Sequence, residues 1–262
     1  MGRGRLDYDK LYVGKEFDSR HGRFKVISYQ GNRYLKIEFM DSHRYSYNVR
    51  ADHLKAGAVS NPYYPTVFSV GYRGVGNFEA TIKGKDTPVY VKWHSMLQRA
   101  YCPLYKEKFP TYKNVTVVAD WHNFQNFAGW VDSQSVKDIK NYDLDKDLKI
   151  IGNKEYSAEA CTFVPAAING ALIGCATGES GVAGVYWREH GYQVMVGRFG
   201  KRANVGFHKD INVAASMYWN AKADYLNELA NLYVDSLPTE TYNLVINRAE
   251  LIRSKHEDCM GY

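Results

Sequence analysis

The sequence predicts an α+β protein, with strands gathered towards its two ends and helices between and after them. Near the N-terminus, "RFKVISYQ", "RYLKIEFMD" and "RYSYNVRA" alternate apolar and polar side chains, the period of a half-buried strand. Further on, "GVAGVYWREHGYQVMVGRFGKRANVGFHKD" holds three short strand patterns split by tight turns at Gly191 and Gly200. Directly after it, "DINVAASMYWNAKADYLNELANLYVD" sets Val213, Ala214, Met217, Tyr218, Ala221, Tyr225 and Leu229 on one helical stripe.

The elements follow in order. The first three strands form a small curled sheet, with Gln30, Gly31 and Asn32 turning the first pair. Its outer face would carry Lys25, Arg33, Lys36, Arg44 and Arg50 among Tyr29, Tyr34, Tyr45 and Tyr47. Such a mixture can stack bases while contacting phosphates, or can simply pair across strands. Residues 60–80, punctuated by Pro62, Pro65, Gly71, Gly74 and Gly76, read as an extended linker. A helix is expected over Tyr90 to Tyr101, broken by Pro103 and Pro110. "YKNVTVVADW" reads as a turn and short strand, and "NFQNFAGWVDSQ" as a second helix. Phe124, Phe127 and Trp130 at three-residue steps, with Trp93 and Trp121, are assigned to core packing. Asp210 is the expected N-cap of the long C-terminal helix, and another helix, Thr239 to Ser254, follows Pro238. Three domains are expected: a β-rich basic module with its linker at 1–78, a central domain at 79–175, and the C-terminal sheet with its helices at 176–262.

Composition narrows the function. A content of 45% hydrophobic and 15% aromatic residues suits a folded protein. No apolar run approaches the roughly 20 residues of a membrane helix. "MGRGRLDYDK" lacks the apolar core of a secretory signal, so a cytoplasmic protein is expected. Cys102, Cys161, Cys175 and Cys259 have no CxxC spacing and are expected as reduced thiols, a zinc site shared by Cys102 and Cys161 being the alternative. The net charge is +6, unevenly spread. Residues 1–85 carry fifteen Lys and Arg against eight Asp and Glu, and residues 86–175 carry ten of each. Across 184–209, Arg188, Arg198, Lys201, Arg202 and Lys209 face only Glu189. Two basic segments around a neutral centre suit a polyanion held at both ends, through counterion release. Ordinary solvated surface charge is the other explanation.

Two stretches resemble known families. Residues 183–230, with "GVYWREHGYQVMVGR", the Gly200-Lys201 turn and "VGFHKDINVAASMY", resemble the three-strand-plus-helix DNA-binding domain of the Apetala-type ethylene-response factors. Residues 90–169 resemble the HNH endonucleases of phages and mobile elements, through "VKWHSMLQRAY", "YKEKFPTYKNVTV", "DWHNFQNFAGW", "LDKDL", "GNKEYS" and "CTFVPAAIN". The N-terminal part, with "NPYYPTVFSVGYRGVG", resembles the leader module of the same phage proteins.

The resemblance implies a central His-Me-finger-like ββα domain holding one divalent cation, Mg²⁺ by preference for hard oxygen ligands. Laid on this chain, Asp145 at the end of the first strand becomes the metal ligand and Lys146 takes the place of the general base. Gly152 and Asn153 fit the closing loop, and Asn153 joins Asp145 and Lys146 in the catalytic set. The ligand from the helix falls near Ala160, which cannot coordinate. A lysine serves as base only if its pKa drops from about 10.4, and Asp143, Asp145 and Asp147 would hold it charged. Lys146 is then a phosphate contact, with His122 or His94 as substitute base. In the C-terminal sheet, Trp187, Arg188, Gln193, Arg198, Lys201 and Arg202 are candidates for duplex contact, with Arg198 expected to favour specific over non-specific binding. Arg99 and Lys106 are candidates for phosphate near the cut.

Two readings of function follow, both with double-stranded DNA as partner. One is a sequence-recognising, metal-dependent endonuclease of the homing type. The alternative is a nuclease-inactive derivative that acts as a site-specific DNA-binding protein or repressor.

Overall fold

The computed structural model describes residues 7–134, 136, 138–173, 177 and 179–259, with side chains through Ser254 in the last helix. The expected boundary at 175/176 and Cys175 lie outside the described residues. The chain has the α+β architecture expected and divides into two compact units, Met1–Lys113 with Val117–Ser133, and Asn114–Thr116 with Gln134–Tyr262.

The first unit opens with α1 (Tyr8–Tyr12), whose N-cap Asp7 accepts the Lys10 backbone N–H. An antiparallel meander follows, β1 (Glu16–Ser19), β2 (Gly22–Gly31), β3 (Tyr34–Phe39) and β4 (Ser46–Arg50), in spatial order β1-β2-β3-β4. The period-two pattern sends Phe24, Val26, Leu35, Ile37, Phe39 and Val49 to one face. There they meet Tyr12 of α1 and Leu54 of α2 (Ala51–Lys55). Each fully buried side chain of this size contributes about 1.5–3 kcal/mol. Lys25, Lys36 and Arg50 face outwards, as the alternation requires, while Arg44 pairs with Glu38 and Tyr45 stacks on Tyr47.

After the hairpin of β5 (Thr81–Ile82) and β6 (Lys85–Asp86) come α3 (Pro88–Tyr101), α4 (Pro103–Lys108) and α5 (Phe124–Ser133). Trp93, Leu97, Trp121, Phe124 and Phe127 fill the space between them, while Trp130 is half-buried against Trp121. The Trp93 indole N–H donates to the Trp121 carbonyl at 2.7 Å.

Residues 60–80 differ from the expected linker, because they are docked on this helical core. Tyr72 exchanges backbone hydrogen bonds with His122 and Phe124, both at 2.9 Å. The Gln125 amide bonds both backbone groups of Phe78, at 3.0 and 2.9 Å. Gly71 lies so close to Leu97 and Trp93 that a β-carbon there would collide with both. The glycines that suggested flexibility are small so that the segment can pack.

The strand β7 (Thr116–Val117) has one residue in each unit, and the second unit continues with β8 (Tyr142–Asp145), β9 (Glu155–Tyr156) and β10 (Thr162–Pro165). β8 pairs antiparallel with β10, Asp145 facing Thr162 and Tyr142 facing Pro165. Pro165 ends the strand and α6 (Ala166–Leu172) begins, so the local order is strand, long loop, strand, helix. The turn at Gly152 (φ 74°) lies inside that loop and does not join the paired strands. β11 (Val185–Arg188), β12 (Gly191–Arg198) and β13 (Lys201–His208) form the expected antiparallel sheet. α7 (Ile211–Leu232) starts at Asp210, whose carboxylate accepts the N–H groups of Asn212 and Val213. The first half of α7 packs Ala214 and Tyr218 on the sheet. Its second half packs Leu226, Leu229 and Ala230 against Val245, Ala249 and Ile252 of α8 (Thr239–Cys259). One helix thereby serves two cores, and its buried residues extend well beyond a single stripe.

Candidate functional site

Two places in the second unit collect polar side chains of functional type. The first lies where β8 meets α6. Asp143 and Asp145, two apart on β8, point to the same face, while Leu144 between them is buried. Asn169 reaches back from α6 and its amide donates to the Asp143 carboxylate at 3.2 Å. Asp145, Asp147 and Asn169 line a cavity of about 340 Å³ together with Lys222 and Arg248. The Lys222 ammonium donates to the Ile173 carbonyl at 3.0 Å, and Arg248 to the Asp147 carbonyl at 2.6 Å. Carboxylates, an amide and two cations thus border one small space.

Asp145 is partly committed already. Its Oδ1 accepts the backbone N–H groups of Asp147 (2.8 Å) and Leu148 (2.6 Å). Burial raises its pKa above the usual carboxylate range, and those two hydrogen bonds oppose the rise.

Lys146 and Asn153 do not stand where a base and its partner would. Lys146 is 7% exposed, with its ammonium donating to Asp147 Oδ2 (2.7 Å) and to the Asn153 carbonyl (2.8 Å). The Asn153 amide donates to the carbonyls of Lys146 (2.9 Å) and Glu155 (2.6 Å), and its Oδ1 accepts the Glu155 N–H. Both side chains hold the loop between β8 and β10, which is the physical reason they are turned away from solvent. Ala160 is in the loop as well, its N–H bonded to Ser157 Oγ at 3.2 Å. The polar residue on the helix is Asn169, which the sequence reading missed because it closed the hairpin at Gly152. The signal was present in "TFVPAAIN", a buried strand stopped by Pro165 and followed by a helix carrying one amide.

The remaining candidates are divided between the two units. His122 belongs to the first unit, where its Nε2 meets the Tyr101 hydroxyl at 3.0 Å and burial lowers its pKa. His94, also there, packs its ring on Phe68 at 4.9 Å. Arg99 lies over the Tyr112 ring, and the Lys106 ammonium donates to the Lys113 carbonyl. Cys161 is fully buried, and desolvation pushes its thiol up to about 12, the opposite of what zinc requires of a thiolate ligand. Among the described residues no group of three or more His, Cys, Asp or Glu is arranged to hold a metal. The hard oxygens of Asp145, Asp147 and Asn169 suit Mg²⁺ only as a ligand set shared with water and phosphate, the usual manner of that ion.

The second place is the face of the β11–β13 sheet turned away from α7. The pairing register settles which side chains share it: Tyr186 opposite Gln193, Gln193 opposite Phe207, Met195 opposite Asn204 and Gly197 opposite Arg202. Arg188 joins them at the end of β11. The Arg188 and Arg202 guanidinium groups lie 5.8 and 5.9 Å from the Tyr186 ring centre. Arg188 Nε donates to Gln193 Oε1 at 3.2 Å. Phe207, 49% exposed, lies across Gly191, where a β-carbon would come within 2.7 Å of the ring.

The other three sheet candidates lie apart from this group. Trp187 shares the α7 side of the sheet with Tyr192, ring centres 5.0 Å apart, and is 55% exposed at the edge. Arg198 is on the α7 side too, paired with Glu228 and lying over Tyr225. Lys201 is opposite Arg198 at the turn. Register therefore unites Arg188, Gln193 and Arg202, and adds Tyr186, Asn204 and Phe207; strict alternation would have set Phe207 on the face opposite Asn204 and Arg202, and the register shift between Val194 and Met195 brings them together. Among the described residues no helix is long and apolar enough to cross a membrane. Compared with protein-family models, curated proteins and solved structures, the chain matches none.

Proposed function

We propose that this protein binds double-stranded DNA through the face of the β11–β13 sheet that α7 leaves open. The observation that carries the reading is the grouping of Arg188, Arg202 and Gln193 around Tyr186 on that face. A twisted sheet of this kind can lie in a major groove, where guanidinium groups suit guanine edges and a glutamine amide suits adenine. Each such bidentate contact discriminates by about 1–3 kcal/mol against the wrong base. Phe207 offers an apolar surface of the type that meets a thymine methyl. The basic excess of residues 184–209 supplies the sequence-independent attraction.

A second reading, metal-dependent endonuclease of the homing type, is favoured by the convergence of Asp143 and Asp145 on β8 with Asn169 on α6. Asp145, Asp147 and Asn169 would hold Mg²⁺, which would stabilise charge on a phosphate and its leaving oxygen. Lys222 and Arg248, which line the same cavity, would orient the phosphate. Lys146 and Asn153 keep the loop in shape and take no chemical part.

The two readings separate in one experiment. Purified protein is incubated with fragmented genomic DNA in EDTA or Mg²⁺, and retained fragments and new ends are sequenced. Retention at a defined site in EDTA supports binding by the sheet. New ends at that site only with Mg²⁺, lost in Asn169→Ala, support cleavage. Retention without sequence preference would overturn the sequence-recognition claim.

A further inference from the structure

We propose that the first unit carries a second, separate site, for a nucleotide whose base is not paired. The site is a cavity of about 850 Å³ bounded by the end of the meander, the docked segment 60–75 and α3. That volume lies within the range of small-molecule and cofactor pockets. Its lining is rich in aromatic rings: Tyr45 and Tyr47, stacked at 5.5 Å, come from the meander, and Phe68, Tyr90 and His94 come from the docked segment and α3. Tyr64, 38% exposed, stands at its margin against the His21 ring.

The polar lining fixes the class of ligand. Arg73, exposed and lying over the Tyr90 ring at 5.7 Å, is the cation of the site, with His21 and His94 beside it. Among the described residues no Asp or Glu lines the cavity. An anion with a flat unsaturated ring satisfies both features: Tyr and His faces accept any base by stacking, and a guanidinium accepts phosphate oxygens. Ser60, whose hydroxyl meets the His21 ring at 3.1 Å, adds a hydroxyl for ring edges, while the buried Asn61 amide is spent on the Asp41 carboxylate and the Tyr63 N–H and holds the docked segment in shape. A base within a duplex cannot enter such a cavity, so the nucleotide is either free or part of an unpaired strand.

The lining is also built at a cost. Phe68 and Ser69 both occupy the left-handed region, at φ 48° and 61°, an outlying conformation for a bulky aromatic residue. Strain of this kind persists where surrounding structure enforces it, and it gathers at ligand sites. Here it turns the Phe68 ring onto His94.

The test uses 2-aminopurine, whose fluorescence falls when the base stacks. Three probes are titrated into the full chain: 2-aminopurine nucleotide 5′-monophosphate, an eight-residue single strand containing it, and the same strand in a duplex. The expected result is saturable quenching by the monophosphate, the single strand or both. Arg73→Ala should weaken that binding at least tenfold, and Tyr64→Ala should reduce the depth of quenching. Both residues are exposed, so unchanged melting curves are expected for both variants, with duplex retention by the sheet kept within twofold. Quenching by the monophosphate as tight as by the strand identifies a free nucleotide. Quenching by the strand alone identifies an unpaired stretch of nucleic acid. Absence of quenching by either, or wild-type affinity in Arg73→Ala, overturns the proposal.

Discussion

Lys146 and Asn153 hold each other reciprocally: the lysine ammonium donates to the Asn153 carbonyl at 2.8 Å, and the Asn153 amide donates to the Lys146 carbonyl at 2.9 Å. Seven residues apart, they staple the first half of the loop between β8 and β10. Removing one partner leaves buried polar groups unsatisfied, which costs about 1–3 kcal/mol. Asn153→Ala and Lys146→Ala should each lower the urea midpoint accordingly. In the double variant the losses should fall short of additive by about 0.5 kcal/mol or more, since the two act as a unit. Strict additivity would show that the staple does not couple them.

Asp145 should make the protein less stable as pH rises, contrary to the usual carboxylate. Its folded-state pKa lies above the ordinary value because burial disfavours the charged form. The folded state therefore keeps a proton that the unfolded chain has released. The stability it contributes is present at the ordinary carboxylate pKa and is lost as pH climbs through the raised one. Asp145→Asn retains an oxygen for the Asp147 and Leu148 N–H groups and removes the buried charge. In EDTA, thermal melts should show this variant matching wild type near pH 4 and exceeding it at pH 7. A variant less stable than wild type at pH 7 would mean that the charge itself is stabilising.

Cys161 should be chemically silent in the folded protein. With its thiol pushed up to about 12 and its side chain fully buried, it lacks both thiolate and access. Iodoacetamide at pH 8, followed by site-resolved mass spectrometry, should leave Cys161 unlabelled until denaturant is added, while the partly exposed Cys102 is labelled. Labelling of Cys161 at the rate of Cys102 would contradict its placement.

Local pattern revealed more of the fold than of the site. Three of the four meander strands, α3, α5, the C-terminal sheet and the Asp210 cap follow from alternation, helical spacing and one capping carboxylate, all signals within a few residues of one another, whereas β1, four residues long, is too short to show a period. The docking of residues 60–80 was hidden because glycine reads equally as freedom and as close approach, and only Leu97 and Trp93 decide between them. The site failed at one step of the same kind. Pairing β8 with β10 instead of closing at Gly152 moves the polar helix residue that faces the β8 carboxylates from the position of Ala160 to Asn169, and strand partners across sixteen residues of loop leave no local mark. Likewise Arg198 differs from Arg202 only by the face its register assigns.

That assignment has a measurable consequence. Arg198 pairs with Glu228 on the α7 side, where a half-exposed ion pair is worth about 0–1 kcal/mol. Arg198→Ala should shift the urea midpoint slightly and leave duplex affinity within about threefold. A loss as large as that of an outward-facing arginine would place Arg198 in the interface after all.

The most direct measurement is the affinity of the retained duplex for wild type and for Arg188→Ala/Arg202→Ala, followed by fluorescence anisotropy across a salt series. If the open sheet face reads DNA, the double variant loses about 2–6 kcal/mol at the retained site, from two contacts of about 1–3 kcal/mol each. Its affinity for unrelated duplex should fall far less, bringing the two affinities together. Equal losses for both duplexes, with a salt slope lower by about two, would make the arginines phosphate contacts only. Unchanged affinity for the retained duplex would contradict the claim that this face binds DNA.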